Sequence, residues 1–143
     1  MKVVICGDRS IDDRNMKLVE EAVIASGFNI SEVISGGAKG GDRLGEKWAL
    51  KFGVPFSKMI PAWDDLDAPE AIIKVGQYGE YNARAGFDRN QQMVDAADAV
   101  IALQPDGESN GTQDTIDRAM KKGIAVFIYP NARFVVDGYC YEF

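Results

Sequence analysis

Short apolar runs alternate with amphipathic segments along this chain. Five runs, KVVIC (2–6), SEVIS (31–35), VPFSKMI (54–60), DAVIAL (98–103) and IAVFIY (124–129), are rich in β-branched residues and apolar nearly throughout. Strands of a parallel sheet read this way, because helices cover both of its faces. Between the runs, apolar residues recur at helical spacing. Residues 12–27 place Met16, Val19, Val23 and Ile24 on one stripe behind Ser10-x-x-Asp13, a capping-box pattern. Residues 42–52 carry Leu44, Trp48 and Phe52 and end at Gly53 and Pro55. Residues 87–97 carry Met93, Val94 and Ala97. Residues 112–122 carry Ile116, Ala119 and Met120, with Lys121 and Lys122 before Gly123. Repeated strand–helix–strand units imply right-handed crossovers, and hence an open α/β sandwich with a mostly parallel five-stranded sheet.

Two regions depart from the alternation. Residues 61–85 exceed an ordinary strand-to-helix connection and contain Trp63, Tyr78 and Tyr81, which predicts a functional loop or a small helix. The tail RFVVDGYCYEF has Asp137-Gly138 between two alternating runs, the signal of a type I′ turn in a C-terminal β-hairpin. Phe134, Val136, Tyr139, Tyr141 and Phe143 give that hairpin more apolar surface than a frayed end carries. It is expected to extend the sheet or to meet another subunit in a homo-oligomer.

The 143 residues read as one domain, 1–143, large enough for a core without staples. No stretch has the length of a membrane span, no secretory signal is visible, and no membrane partner is expected. Cys6 and Cys140 form no CxxC and read as reduced thiols of a cytoplasmic protein. The chain has no histidine, which removes Ser-His and Cys-His nucleophiles, imidazole acid–base chemistry and the common zinc sites. No metal site and no resident cofactor is expected. A net charge of −6 argues against bulk nucleic-acid binding while leaving room for a small anion held by local cations.

Three strand ends carry loops suited to such an anion. SGGAKGGD (35–42) has four glycines in six positions and leads into a helix start, where amides and the helix dipole favour negative charge. It matches neither GxGxxG nor GxxxxGK[ST]. A second loop runs from DAVIAL to Gly111-Thr112, offering amides and a hydroxyl at a helix start. A third, CGDRSIDD, exposes Arg9 and Ser10 after the first run. One glycine-rich turn explains any of these alone; three at one sheet edge point to a ligand site, since open α/β sheets bind beyond the carboxyl ends of their strands. Arg89 and Asn90 fall in the first turn of the third helix, where a cation opposes the dipole and calls for an anion. Trp63, Tyr78 and Tyr81 could stack on a base or pack over the sheet end.

The order and spacing of these residues resemble the SLOG superfamily, named for the Smf/DprA and Lonely Guy proteins, and in particular its small stand-alone branch. The matching stretches are Gly7-Asp8-Arg9, Gly36 through Arg43, Pro61-Ala62-Trp63, Ala85-Gly86 through Arg89-Asn90 and Met93, Asp98 through Ala102, Gly107, and Gly111-Thr112. The resemblance implies a Rossmann-like three-layer sandwich, first strand central, with a nucleotide-type ligand over the strand ends. It implies binding residues at Gly7, Arg9, Ser10, Gly36, Gly37, Lys39, Gly40, Asp42, Trp63, Arg89, Asn90, Gly107, Gly111 and Thr112. Lonely Guy enzymes are similar in part: they are phosphoribohydrolases with a PGGxGTxxE signature, of which Pro105, Gly107, Gly111 and Thr112 are present. Two extra residues separate the glycines, Thr115 stands at the glutamate position and Asp114 precedes it. Arg89 matches the arginine of the enzymes' preceding helix, so Arg89 and Asp114 are the catalytic candidates. Other relatives are sensors of nucleotide-derived signals, some on phages, and the DprA-like ones bind single-stranded DNA. The leading expectation is a small-molecule nucleotide-like ligand that is sensed or sequestered. Hydrolysis is the alternative and DprA-like nucleic-acid association the second.

Overall fold

The computed structural model describes residues 1–105, 110–130, 133–136 and 139–142, the last two segments as backbone. In chain order the elements are β1 (Lys2–Gly7), α1 (Met16–Ser26), β2 (Glu32–Ser35), α2 (Gly41–Phe52), β3 (Phe56–Lys58), β4 (Ile73–Gly76), β5 (Gly79–Asn82), α3 (Ala85–Ala96), β6 (Ala99–Leu103), α4 (Asn110–Lys122), β7 (Ala125–Tyr129), β8 (Arg133–Val136) and β9 (Tyr139–Glu142). The main sheet runs β3-β2-β1-β6-β7-β8-β9. Its first five strands are parallel; β8 adds antiparallel to β7, and β9 antiparallel to β8. The fold is α/β and Rossmann-like, with β1 central and the strand order reversing between β1 and β6. That reversal opens a crevice between two sets of strand ends. The C-terminal hairpin extends the sheet; its Asp137-Gly138 turn lies outside the described residues.

Alternation along each strand divides the core into two layers. Val3, Ile5, Val33, Leu103 and Phe127 face α1 and α2 through Val19, Leu44 and Trp48. Val4, Cys6, Ile34, Ala102 and Ile128 face α3 and α4 through Met93, Val94, Ile116 and Ala119. Burying one such side chain stabilises by roughly 1.5–3 kcal/mol, so both helix pairs are fixed against the sheet.

Several local expectations are corrected. Ser10-x-x-Asp13 does not cap α1. Asp12 instead accepts from the Arg14 N–H and Asn15 bonds back to the Asp12 N–H, closing a capping box on a 3-10 turn at Asp13–Asn15. Ile24 is 81% exposed, and Phe52 and Met120 also lie outside the core. The third helix starts at Ala85, which moves Arg89 out of the first turn, so the dipole argument for it lapses. Residues 61–84 hold no helix, and 73–82 within them form the two-stranded antiparallel sheet β4–β5.

Candidate functional site

Beyond the ends of β1 and β2, on the layer of α3 and α4, lies a cavity of about 650 Å³. Gly7 and Arg9 after β1, Gly36 through Lys39 after β2, and Asp42 at the start of α2 line one side. Trp63, Arg89 and Asn90 line the next, and Asn110, Gly111 and Thr112 of the first turn of α4 close the ring. Gly40 sits behind the wall, Ser10 is exposed outside the lining, and Gly107 lies outside the described residues.

The loop at 36–41 works differently from the anion cradle its composition suggests. The Gly37 N–H donates to Ser35 Oγ at 3.0 Å, the Ala38 N–H to Asp42 Oδ2 at 3.2 Å, and the Gly41 N–H to the Asp8 carbonyl at 3.2 Å. Those three amides are engaged within the protein. Ser35 Oγ also donates to the buried Glu46 carboxylate at 2.6 Å, which Lys58 meets at 3.1 Å. The glycines serve proximity instead. Gly40 has φ of +97°, and a Cβ on Gly41 would lie 2.3 Å from the Gly7 nitrogen. The N-terminus of α2 thereby comes down onto the backbone of β1.

Asp42 and Arg89 form the electrostatic centre. Burial pushes the Asp42 carboxyl up to about 6, against the opposing pull of the Arg89 guanidinium and the amides of Ala38 and Gly36; Glu46 adds to the rise. Arg89 is itself lowered by desolvation, with Asp42 acting in the other direction. Its Nη1 donates to the Gly36 carbonyl and its Nε to Asn90 Oδ1 at 3.0 Å. A Cβ on Gly36 would stand 2.5 Å from Arg89 Nη1 and 2.6 Å from Asp42 Oδ2, so a side chain there would have to displace one of these groups. The acids nearest to Arg89 on its own helix are engaged elsewhere: Asp88 meets Arg84, and Asp95 accepts from Gln91.

Asp114 does not line the cavity. Its Oδ2 accepts from Asn90 Nδ2 at 3.0 Å and from Arg118 Nε at 2.8 Å, tying α4 to α3. A step of one residue turns a helix by about 100°, and Asp114 faces the helix pair in consequence. Trp63 packs edge-on against Tyr81 at 6.1 Å, while Tyr78 is 96% exposed at the hairpin tip, away from the cavity lining. Sequence reasoning missed Cys6, Ile60 and Phe87 on the lining. Ile60 and Phe87 were legible only as apolar residues at a strand end and a helix start. Cys6 is buried, its thiol pushed up by that burial. Among the described residues no group of three acidic or cysteine side chains is placed to hold a metal ion, and no helix is long and apolar enough to cross a membrane.

Residues 1–65 match the model of the YspA, cpYpsA-related SLOG family, YAcAr. The SLOG resemblance is borne out. The matched stretch contains the loops after β1 and β2 and reaches Trp63. Among solved structures the chain is similar to DNA processing protein A (DprA) from Streptococcus pneumoniae. The TM-score is 0.62 at 21% identity, covering 90% of this chain and 49% of that one. The chain therefore spans about half the length of that DprA, and the likeness carries the fold alone. Among curated proteins none matches.

Proposed function

We propose that the cavity binds a phosphorylated nucleoside or another nucleotide-derived ligand, and that the protein senses or sequesters it. One observation carries the reading: Arg9, Lys39 and Arg89 converge with the first turn of α4 on a cavity whose outer rim is apolar, from Ile60, Trp63 and Phe87. A volume near 650 Å³ suits a nucleotide-sized molecule. The helix dipole and the Thr112 hydroxyl at α4 favour phosphate, and Arg89 adds charge-assisted donors. The ionised Asp42 repels phosphate from the α2 side and so orients the ligand. The base then leaves toward Trp63 and Phe87.

Thermal unfolding with nucleoside mono- and diphosphates, cyclic nucleotides and ADP-ribose tests this. A ligand at a hundred times its Kd adds about 2.7 kcal/mol of stability. A flat response to every compound overturns the reading. Hydrolysis of the N-glycosidic bond has one observation in its favour: a buried carboxylate, Asp42, is on the cavity wall. Should free base accumulate over hours with wild-type protein, Asp42 is the acid in reach of the sugar, and Asp114 is not. An intact nucleotide after that time decides for binding.

A further inference from the structure

Asp42 is the one acid among the described residues that line the cavity, and it is 6% exposed. Arg89, also on the lining, stands across Gly36 from it. A single carbon added at Gly36 would lie 2.5 Å from Arg89 Nη1 and 2.6 Å from Asp42 Oδ2. Nη1 donates to the Gly36 carbonyl and Oδ2 accepts from the Ala38 N–H at 3.2 Å, so neither of these bonds joins the two charges. The remaining groups around Asp42 bring no second cation to it. Glu46, one turn along α2, adds negative charge, and its carboxylate is met by Ser35 of β2 at 2.6 Å and Lys58 of β3 at 3.1 Å. From β1 comes the Cys6 thiol, pushed up by burial, with the Asp8 carboxylate acting on it as well. Arg9 and Lys39 are exposed on the cavity wall, and the positive charge that acts on Asp42 is that of Arg89.

A phosphate drawn to Arg89 therefore meets a buried carboxylate that depends on the same guanidinium. Two anions around one cation, away from water, are relieved when the weaker acid takes a proton. The carboxyl group is the weaker acid beside a phosphodiester. Resting on the reading of the cavity as a nucleotide site, we infer that the protein takes up its anionic ligand together with one proton from solvent, held on Asp42. Ionised, Asp42 engages the field of Arg89 and repels the ligand; protonated, it frees that cation and offers an O–H to the ligand. Burial brings the carboxyl to about 6 before any ligand arrives, and a neighbouring anion raises it further. Affinity then falls as pH rises from about 6 to about 8, the window in which the empty site has lost the proton and the filled one keeps it. The chain has no histidine to titrate there. The Met1 ammonium sits at the opposite end of β1, donating to the Asn29 carbonyl at 2.9 Å.

Calorimetry with cyclic AMP, cyclic GMP and ADP-ribose tests this, because their phosphodiester and pyrophosphate groups hold a constant charge across that window. Titrations near neutral pH in two buffers of different ionisation enthalpy count the protons. Wild-type protein is expected to take up about half to one proton per ligand, and to bind at least about tenfold more weakly at the alkaline end than at the acid end. Asp42→Asn should take up none, show a flat profile, and bind more tightly than wild type at the alkaline end. For a nucleoside mono- or diphosphate, the difference between the two proteins cancels the proton of the phosphate itself. Binding of a diester by wild-type protein without proton uptake, which needs no variant to fold, overturns the inference and leaves the nucleotide reading standing. So does uptake that persists in Asp42→Asn, or a variant weaker than wild type at every pH, which would make Asp42 an ionised contact of the ligand. Absence of binding by every one of these nucleotides overturns the inference together with the site reading beneath it.

Discussion

Asp42 accepts from the loop amide of Ala38 and feels the charge of Arg89, yet burial outweighs both and raises its pKa from 3.8 to about 6. Between those values the folded protein holds a proton that the unfolded chain has lost. The contribution of Asp42 is therefore fully present below about pH 4 and falls away as pH rises through 6. A gap of this size corresponds to about 3 kcal/mol. Asp42→Asn removes the titration while keeping an acceptor for Ala38. Urea unfolding at pH 4.5 and 7.5 should show the variant gaining on wild type by on the order of 2 kcal/mol between the two conditions. A difference independent of pH would show that Asp42 is ionised throughout. Gly36 depends on the same pair. Gly36→Ala places a methyl against Arg89 and Asp42, and is expected to weaken nucleotide binding at least about tenfold, the loss of one charge-assisted bond. Calorimetry on the purified variant reads this directly; unchanged affinity would mean that Arg89 can swing aside without loss.

Helix α2 is positioned by contact of its backbone with β1, and α4 is not held that way. A Cβ at Gly41 would lie 2.4 Å from the Gly7 Cα, and one at Gly45 2.8 Å from the Ile5 Cβ, whereas Gly111 has nothing within 4 Å. Gly41→Ala should destabilise by at least about 1–3 kcal/mol, the range for overpacking, because neither backbone can yield. Gly111→Ala should stay within about 0.5 kcal/mol of wild type or gain slightly, since alanine favours a helix. Equal midpoints in denaturant for the two variants would refute this asymmetry. The glycines were visible in the sequence, but their different jobs were not, because the distinction lies in which backbone lies opposite. The five parallel strands were legible as β-branched runs, since a strand covered on both faces must be apolar throughout. The β4–β5 hairpin was not: every residue of β4 is exposed, so no period-two alternation marks it. Nor was the orientation of Asp114, which one residue of helical rotation decides. The meeting of Asp42 with Arg89 was equally hidden, because it joins residues 47 positions apart through tertiary packing alone.

The chain shares its fold with a DNA-processing protein at 21% identity, and its charge bears on whether the likeness extends to nucleic acid. It holds 16 Lys and Arg against 22 Asp and Glu, whereas affinity for a nucleic-acid backbone comes chiefly from released counterions along a basic track. Arg9, Lys39 and Arg89 gather around one cavity, the arrangement on which the proposal of a single phosphorylated ligand rests. Two measurements follow on the same preparation. A fluorescent single-stranded oligonucleotide should show no binding at about 0.15 M salt, where the Debye length is already near 8 Å. A nucleotide that stabilises wild-type protein should bind Arg89→Ala ten- to a hundredfold more weakly, the equivalent of about 1.5–3 kcal/mol for charge-assisted bonds. Arg89→Lys should recover only part of that affinity, because an ammonium cannot reach Gly36, Asn90 and an anion with one planar fork. Asp114→Asn should change nucleotide affinity little, since its carboxylate is turned to Asn90 and Arg118. Tight oligonucleotide binding that weakens steeply with salt, with nucleotide affinity indifferent to Arg89, would overturn the proposed function in favour of nucleic-acid association.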